Sequence, residues 1–385
     1  TTATLRLLFN LSFHAAIRDA ILNDAALIGT AANGLHSEDE IGQQAAIRFL
    51  YNISVHCKGR MAVASESNIV SLVTDMVIRS PGRQIPSDLI GLAVNLSTID
   101  KAAAIMCEKD AMTALVKRSL TATDVLLMKL LHNLSVHPNK GKDHLSRYLA
   151  DFISLAKRSQ RNEFLVETLG IIGNLDQTTA SFARIVTHSD FIDFLVKHLI
   201  PGFTDDDVVL AVVIVVGTLG SDSQCAPILA SSRLVRLLVD TLTEKSDDEE
   251  IILQTIFAIY RLMCYDETRA LLLAIPKLMD KLIYIHKTDT NSSVQDLAAQ
   301  CIIMAIAQGS DSDRDKIKHS VFELHNFEWL RAASASNADA NRPDSSFSED
   351  RGEAYGWNSR EPSPVGQWPD THHADLDDEY CGDLY

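Results

Sequence analysis

Apolar and polar positions along this chain follow a long rhythm. Polar or acidic clusters open each cycle: Ser37-Glu38-Asp39-Glu40, Ser87-Asp88, Thr123-Asp124, Asp205 to Asp207, Asp247 to Glu250, and Asn291-Ser292-Ser293. Side-chain oxygens at such places accept bonds from the unpaired amides of a first helical turn, and negative charge suits the helix dipole. About 10–15 apolar-rich residues then follow, as in Val125-Leu126-Leu127-Met128-Lys129-Leu130-Leu131, a length typical of globular helices. The stretch Val208 to Val216 is strand-like by composition. It is predicted helical because it falls in the same register and packing overrides weak local propensity.

Each cycle closes on a similar tetrapeptide. Phe9-Asn10-Leu11-Ser12, Tyr51-Asn52-Ile53-Ser54, Val94-Asn95-Leu96-Ser97 and His132-Asn133-Leu134-Ser135 are near copies, and Gly173-Asn174-Leu175-Asp176 is a fifth. Gly217-Thr218-Leu219-Gly220, Tyr260-Arg261-Leu262-Met263 and Met304-Ala305-Ile306-Ala307 continue the series in decayed form. Successive spacings are 42, 43, 38, 41, 44, 43 and 44 residues. Helical solenoids of the armadillo and HEAT type repeat at roughly 40–47 residues. The pattern therefore predicts an all-α, armadillo-repeat, right-handed superhelical solenoid.

Shorter apolar segments lie between the long helices, among them Val235 to Leu242 and Pro276 to Ile283, with Pro276 suited to a first helical position. Pro81, Gly82, Pro86, Pro201 and Gly202 fall in connections. About seven repeats, the first entered part-way, are expected over residues 1–308, and that entry suggests the C-terminal part of a longer protein. Gly309 to Asp313 end the array, and a charged helix from Arg314 to Arg331, carrying Phe322, Phe327 and Trp329, is expected as a terminal cap over 309–331. From Ala332 to Tyr385 the composition turns to Ala, Ser, Asp, Pro and Gly, too few aliphatic residues to offset chain entropy, so a disordered acidic tail is expected.

Charge narrows the partners. The chain has 51 acidic against 35 Lys and Arg residues, which argues against nucleic acid or an anionic membrane surface. Six cysteines without a CxxC pair read as free thiols of a reducing compartment. No apolar run approaches the roughly 20 residues of a membrane span. The phosphate-binding, zinc-protease, dinucleotide and serine-hydrolase motifs are all missing, so no catalytic residues, metal or cofactor are expected. His14, His56 and His137 each stand four residues after a motif Asn. Repeats stack at roughly 8–10 Å, so three such imidazoles cannot converge on one zinc; they are expected as polar residues near helix ends.

The most informative feature is the Asn row. Asn10, Asn52, Asn95, Asn133 and Asn174 place an amide on one face of the superhelix in successive repeats. An amide both donates and accepts, so the row can pair with the backbone of an extended peptide. It can equally tie neighbouring repeats together, and the two roles are compatible. Arg6, Arg48 and Lys129 stand four residues earlier on the same side, and Arg261 takes the Asn position itself. The expected groove is locally basic and suits partners with carboxylates or phosphates.

Further stretches are distinctive: Leu126 to Lys129 leading into His132-Asn133-Leu134-Ser135, Glu163 to Gly170, Pro201-Gly202 through Asp206 to Leu210 and on to Gly217-Thr218, and His325-Asn326 with Trp329-Leu330. Together they resemble the kinesin-associated protein family, the non-motor subunit of heterotrimeric kinesin-II. The resemblance covers roughly residues 1–331. It implies a non-catalytic adaptor that links the tails of two motor chains to cargo, including intraflagellar transport material, in the cytoplasm, on the cytoskeleton and in the cilium. Direct nucleic-acid binding or membrane insertion is not implied. A catenin-like scaffold of adhesion or signalling is the alternative. A nuclear import receptor is disfavoured, because such receptors place Trp four residues before the groove Asn, where this chain has Arg6, Arg48, Gly91, Lys129 and Gly170.

Overall fold

A computed structural model describes residues 2–323 apart from 138–139, 176–181 and 189, together with residue 326. Eight long helices end in the recurring tetrapeptide or its decayed equivalent: Thr2–Leu11, Glu40–Ser54, Ser87–Ser97, Val125–Val136, Asn162–Gly173, Asp206–Leu219, Glu249–Met263 and Ser292–Gln308. Each packs directly on the next, so they form one continuous row, the ladder. Two further helices separate every consecutive pair. A short one turns away from the ladder, as in Cys57–Ser65, Asp100–Met106 or Ala226–Ala230, and a longer one returns, as in Ser67–Arg79, Lys109–Ala122 or Leu234–Glu244. The returning helix packs against the ladder helix that follows it. No strand occurs among the described residues.

The polar clusters start the ladder helices for the expected reason. Asp39 accepts from the amides of Ile41 and Gly42, Asp124 from Leu127, Asp248 from Ile251, and Asn291 from Ser293. The Val-rich stretch is helical, within Asp206–Leu219, and its Val208, Val212, Val213, Val215 and Val216 are fully buried. Burial of such a side chain contributes about 1.5–3 kcal/mol, which outweighs the few tenths that a β-branched residue costs a helix. The Leu or Ile of the inner motifs is core: Ile53, Leu96, Leu134, Leu219 and Leu262 have no exposed surface, while Leu11 and Ile306 of the first and last motifs are half-buried. The breakers sit in connections, with Gly82 and Gly202 at positive φ of 76° and 69°.

Two local expectations need correction. Pro276 does not open a helix: Lys277 adopts a left-handed conformation and the helix runs Leu278–Thr288. The terminal helix begins earlier than Arg314, since residues 311–323 are already helical. Ser310 caps it, accepting from the Asp313 amide while its hydroxyl donates to the Asp313 carboxylate at 2.5 Å. Arg314 Nε holds this helix to the ladder by donating to the Ile306 carbonyl at 3.0 Å. Residues 1–322 cohere as one unit. Phe327, Trp329 and the segment 332–385 lie outside the described residues. No single helix among the described residues is long and apolar enough to cross a membrane.

Candidate partner-binding face

The motif residues form a relay between repeats. Ser12, Ser54, Ser97 and Ser135 are fully buried, and each hydroxyl donates to the carbonyl three residues back, at 2.7, 2.8, 2.7 and 2.6 Å. Each oxygen thereby becomes an acceptor for the next repeat. Asn52 Nδ2 donates to Ser12 Oγ at 2.6 Å, Asn95 to Ser54 at 3.0 Å, Asn133 to Ser97 at 3.0 Å and Asn174 to Ser135 at 3.0 Å. Asn133 Nδ2 also reaches the Val94 carbonyl at 3.2 Å. Because the serine hydrogen is already committed, only the NH2 side of the amide satisfies this geometry. One N–H of each Asn, and both in Asn133, thus holds ladder helices in register; the four relay Asn residues are half-buried, and no hydrogen bond to their Oδ1 occurs among the described residues. Asn10, on the first ladder helix, is exposed.

Where the motif decays, other donors continue the tie. Thr218 Oγ1 donates to the Gly173 carbonyl at 2.6 Å. Arg261 Nε donates to Ser221 Oγ, and the guanidinium lies 5.7 Å from the centre of the Phe257 ring. Tyr265, whose phenol is pushed up chiefly by burial and so stays a donor, bonds the Ser221 carbonyl at 2.7 Å. Arg261 is therefore half-buried and engaged within the ladder rather than offered outward as the basic pattern suggests.

The other basic candidates differ among themselves. Arg48 pairs with Asp88 of the next ladder helix at 3.0 Å. Arg6 is exposed and Lys129 half-buried on the same face. A second set of arginines, not singled out from the sequence, closes the C-terminal ends of ladder helices: Arg60 donates to the carbonyls of Ser54 and Val55 at 3.0 and 3.1 Å, Arg18 to Ser12 at 3.4 Å and Arg269 to Met263 at 2.9 Å. Each stands six residues after the motif's last position, a recurrence that the repeat period could have revealed.

The three histidines do not come together. His14 and His56 precede short helices, the latter's ring held below its ordinary pKa by burial and then by Arg18. His137 is buried between repeats, against the Asp100 carboxylate and, at 2.7 Å, the Ser97 carbonyl. No group of three potential metal ligands occurs among the described residues.

A ladder of stacked long helices, tied side chain to side chain and backed by two further helices per repeat, defines an armadillo-type solenoid scaffold. Solved structures of two engineered proteins share this fold: one at 20% identity and TM-score 0.68 over 83% of this chain and 77% of its own, the other at 18% and 0.52 over 62% and 96%. Within this class the chain belongs to the kinesin-associated protein family, whose sequence profile matches residues 1–361. It is thus a member of an accessory family associated with kinesin.

Proposed function

We propose that this chain is a non-catalytic adaptor subunit of a heterotrimeric kinesin-II complex, which binds motor-chain tails on its ladder face and links them to cargo for microtubule-based, intraflagellar transport. The family match over residues 1–361 carries the reading. The face itself supports it: a row of Asn Oδ1 acceptors runs beside Arg6 and Lys129, so an extended segment can place backbone amides on the acceptors and carboxylates by the cations. Residues 1–161 carry 18 basic and 14 acidic side chains, a positive balance that favours such a segment. Cytoskeletal and ciliary location would follow from the complex.

Affinity of the full-length chain for purified motor tails tests this. Arg6 and Lys129 reversed to Glu should weaken binding by about ten-fold and flatten its salt dependence, because exposed charge pairs are screened by ions. A wild-type chain that captures no motor tail, or folded variants that keep full affinity, would refute the reading.

A further inference from the structure

The second half of the ladder face has a different chemistry from the first. Along each helix, residues four apart share one side. On Asp206–Leu219 that line reads Asp206, Leu210, Ile214, Thr218, and on Glu249–Met263 it reads Glu249, Leu253, Phe257, Arg261. On Asn162–Gly173 it passes through Val166 and runs on to Asn174. Val166, Leu210, Ile214, Leu253 and Phe257 are all half-buried, not sealed in the core. The three helices pack directly one on the next, and Ile214 and Phe257 each lie across a glycine of the helix before: a Cβ built on Gly173 would lie 2.8 Å from Ile214, and one on Gly217 3.3 Å from the Phe257 ring. Apolar side chains scattered singly on a surface mean little, whereas a contiguous row with polar borders marks a docking site. The corresponding positions in the first half are Gln44, Arg48, Ser87, Gly91, Val125 and Lys129, which are mostly polar.

The borders of the row differ in sign. One is the relay of Asn174, Thr218 and Arg261, already engaged within the ladder. The other is acidic and exposed: Asp206, Asp207 and Glu249 stand in the first turns of their helices, and only Asp206 has a salt-bridge partner, Lys245. Residues 162–263 carry 15 acidic and 6 basic side chains, a balance opposite to that of the preceding repeats.

We propose that this half of the ladder is a docking groove for a basic amphipathic segment of a partner protein, its apolar side chains on the row from Val166 to Phe257 and its Lys or Arg side chains against Asp207 and Glu249. The inference rests on the reading that partners engage the ladder face and adds the chemistry of the segment that does so. Buried apolar anchors supply the affinity and the charged rim sets orientation and on-rate.

Two synthetic peptides of equal length test it on the full-length chain. One has Leu and Lys at amphipathic-helix spacing, the other Leu and Glu, and both are read by fluorescence anisotropy. The Leu/Lys peptide should bind at least about ten-fold more tightly than the Leu/Glu peptide. Asp207→Lys with Glu249→Lys, both at exposed positions, should abolish or invert that preference while the thermal melt stays in place. Leu210→Ser with Ile214→Ser should weaken the Leu/Lys peptide by about ten-fold. Equal binding of both peptides, no binding of either, or unchanged binding by the folded variants would overturn the proposal. Capture of motor tails, measured in parallel, separates the two readings. A chain that takes motor tails but not the Leu/Lys peptide loses only this groove. A chain that takes the peptide on this row but no motor tail loses the kinesin reading and keeps the groove.

Discussion

At four junctions of the ladder a large side chain meets a glycine. Tyr51 lies over Gly91 and His132 over Gly170, while from the fifth ladder helix onward the order reverses and Ile214 and Phe257 lie over Gly173 and Gly217 of the helix before. This is interdigitation of facing positions, which sets how closely the helices approach. A Cβ at position 170 would sit 2.3 Å from His132 Nε2, and that ring cannot swing aside freely because Glu167 holds Nδ1 at 2.7 Å. Gly170→Ala should therefore destabilise the array by about 1–3 kcal/mol through overpacking. Gly29 lies inside the helix Ala25–Leu35 with no heavy atom near its would-be Cβ, so Gly29→Ala should stabilise by about 0.5–1 kcal/mol. Denaturant midpoints of the two variants measured together check both; a Gly170→Ala midpoint at or above wild type would contradict the packing described. The glycines were visible in the sequence as interruptions of a basic series. Their meaning was not, because it depends on which neighbour is large.

At the scale of the helices, the first five ladder helices were legible because residues of the near-copy motifs do fixed work every 38–43 positions: Asn donates to the motif before, Leu or Ile packs inward, Ser accepts from the motif after. The short helices were not legible. Asp100–Met106 and Ala226–Ala230 have 7 and 5 residues, two turns or fewer, in which a 3.6-residue period cannot show itself. The candidate site was readable by position but not by use. The row of Asn residues is where the period puts it, yet its donors face the preceding repeat, and Arg48 and Arg261 are engaged with Asp88 and Ser221. Nothing in the composition announces which atoms of an amide the neighbouring repeat uses. A double-mutant cycle on Asn133→Ala and Ser97→Ala measures the tie. The coupling should be about 0.5–1.5 kcal/mol, the net value of one hydrogen bond between contacting groups. Strictly additive effects would mean that the two side chains do not act as a pair.

On the scale of the molecule, the ladder has two parts: repeats over residues 1–161 with a positive balance and a mostly polar line of side chains, and repeats over 162–263 with an acidic balance and a half-buried apolar line. A partner that spans both parts needs a segment whose own character changes along its length, which is a route to specificity through mismatch as well as match. The charge reversal could be counted from the sequence. The apolar row could not, because half-buried and fully buried positions of a Val- and Leu-rich helix look alike in one dimension. Engagement of this face by a kinesin motor tail can be read by hydroxyl-radical footprinting of the full-length chain with and without a bound tail. Side chains on the ladder face, Tyr51, His132 and Phe257 among them, should lose reactivity on binding, while exposed Met61 and Tyr284 on the intervening helices should keep theirs. Protection at Met61 and Tyr284 with none at Tyr51 or Phe257 would contradict the account, as would a chain that binds no motor tail at all.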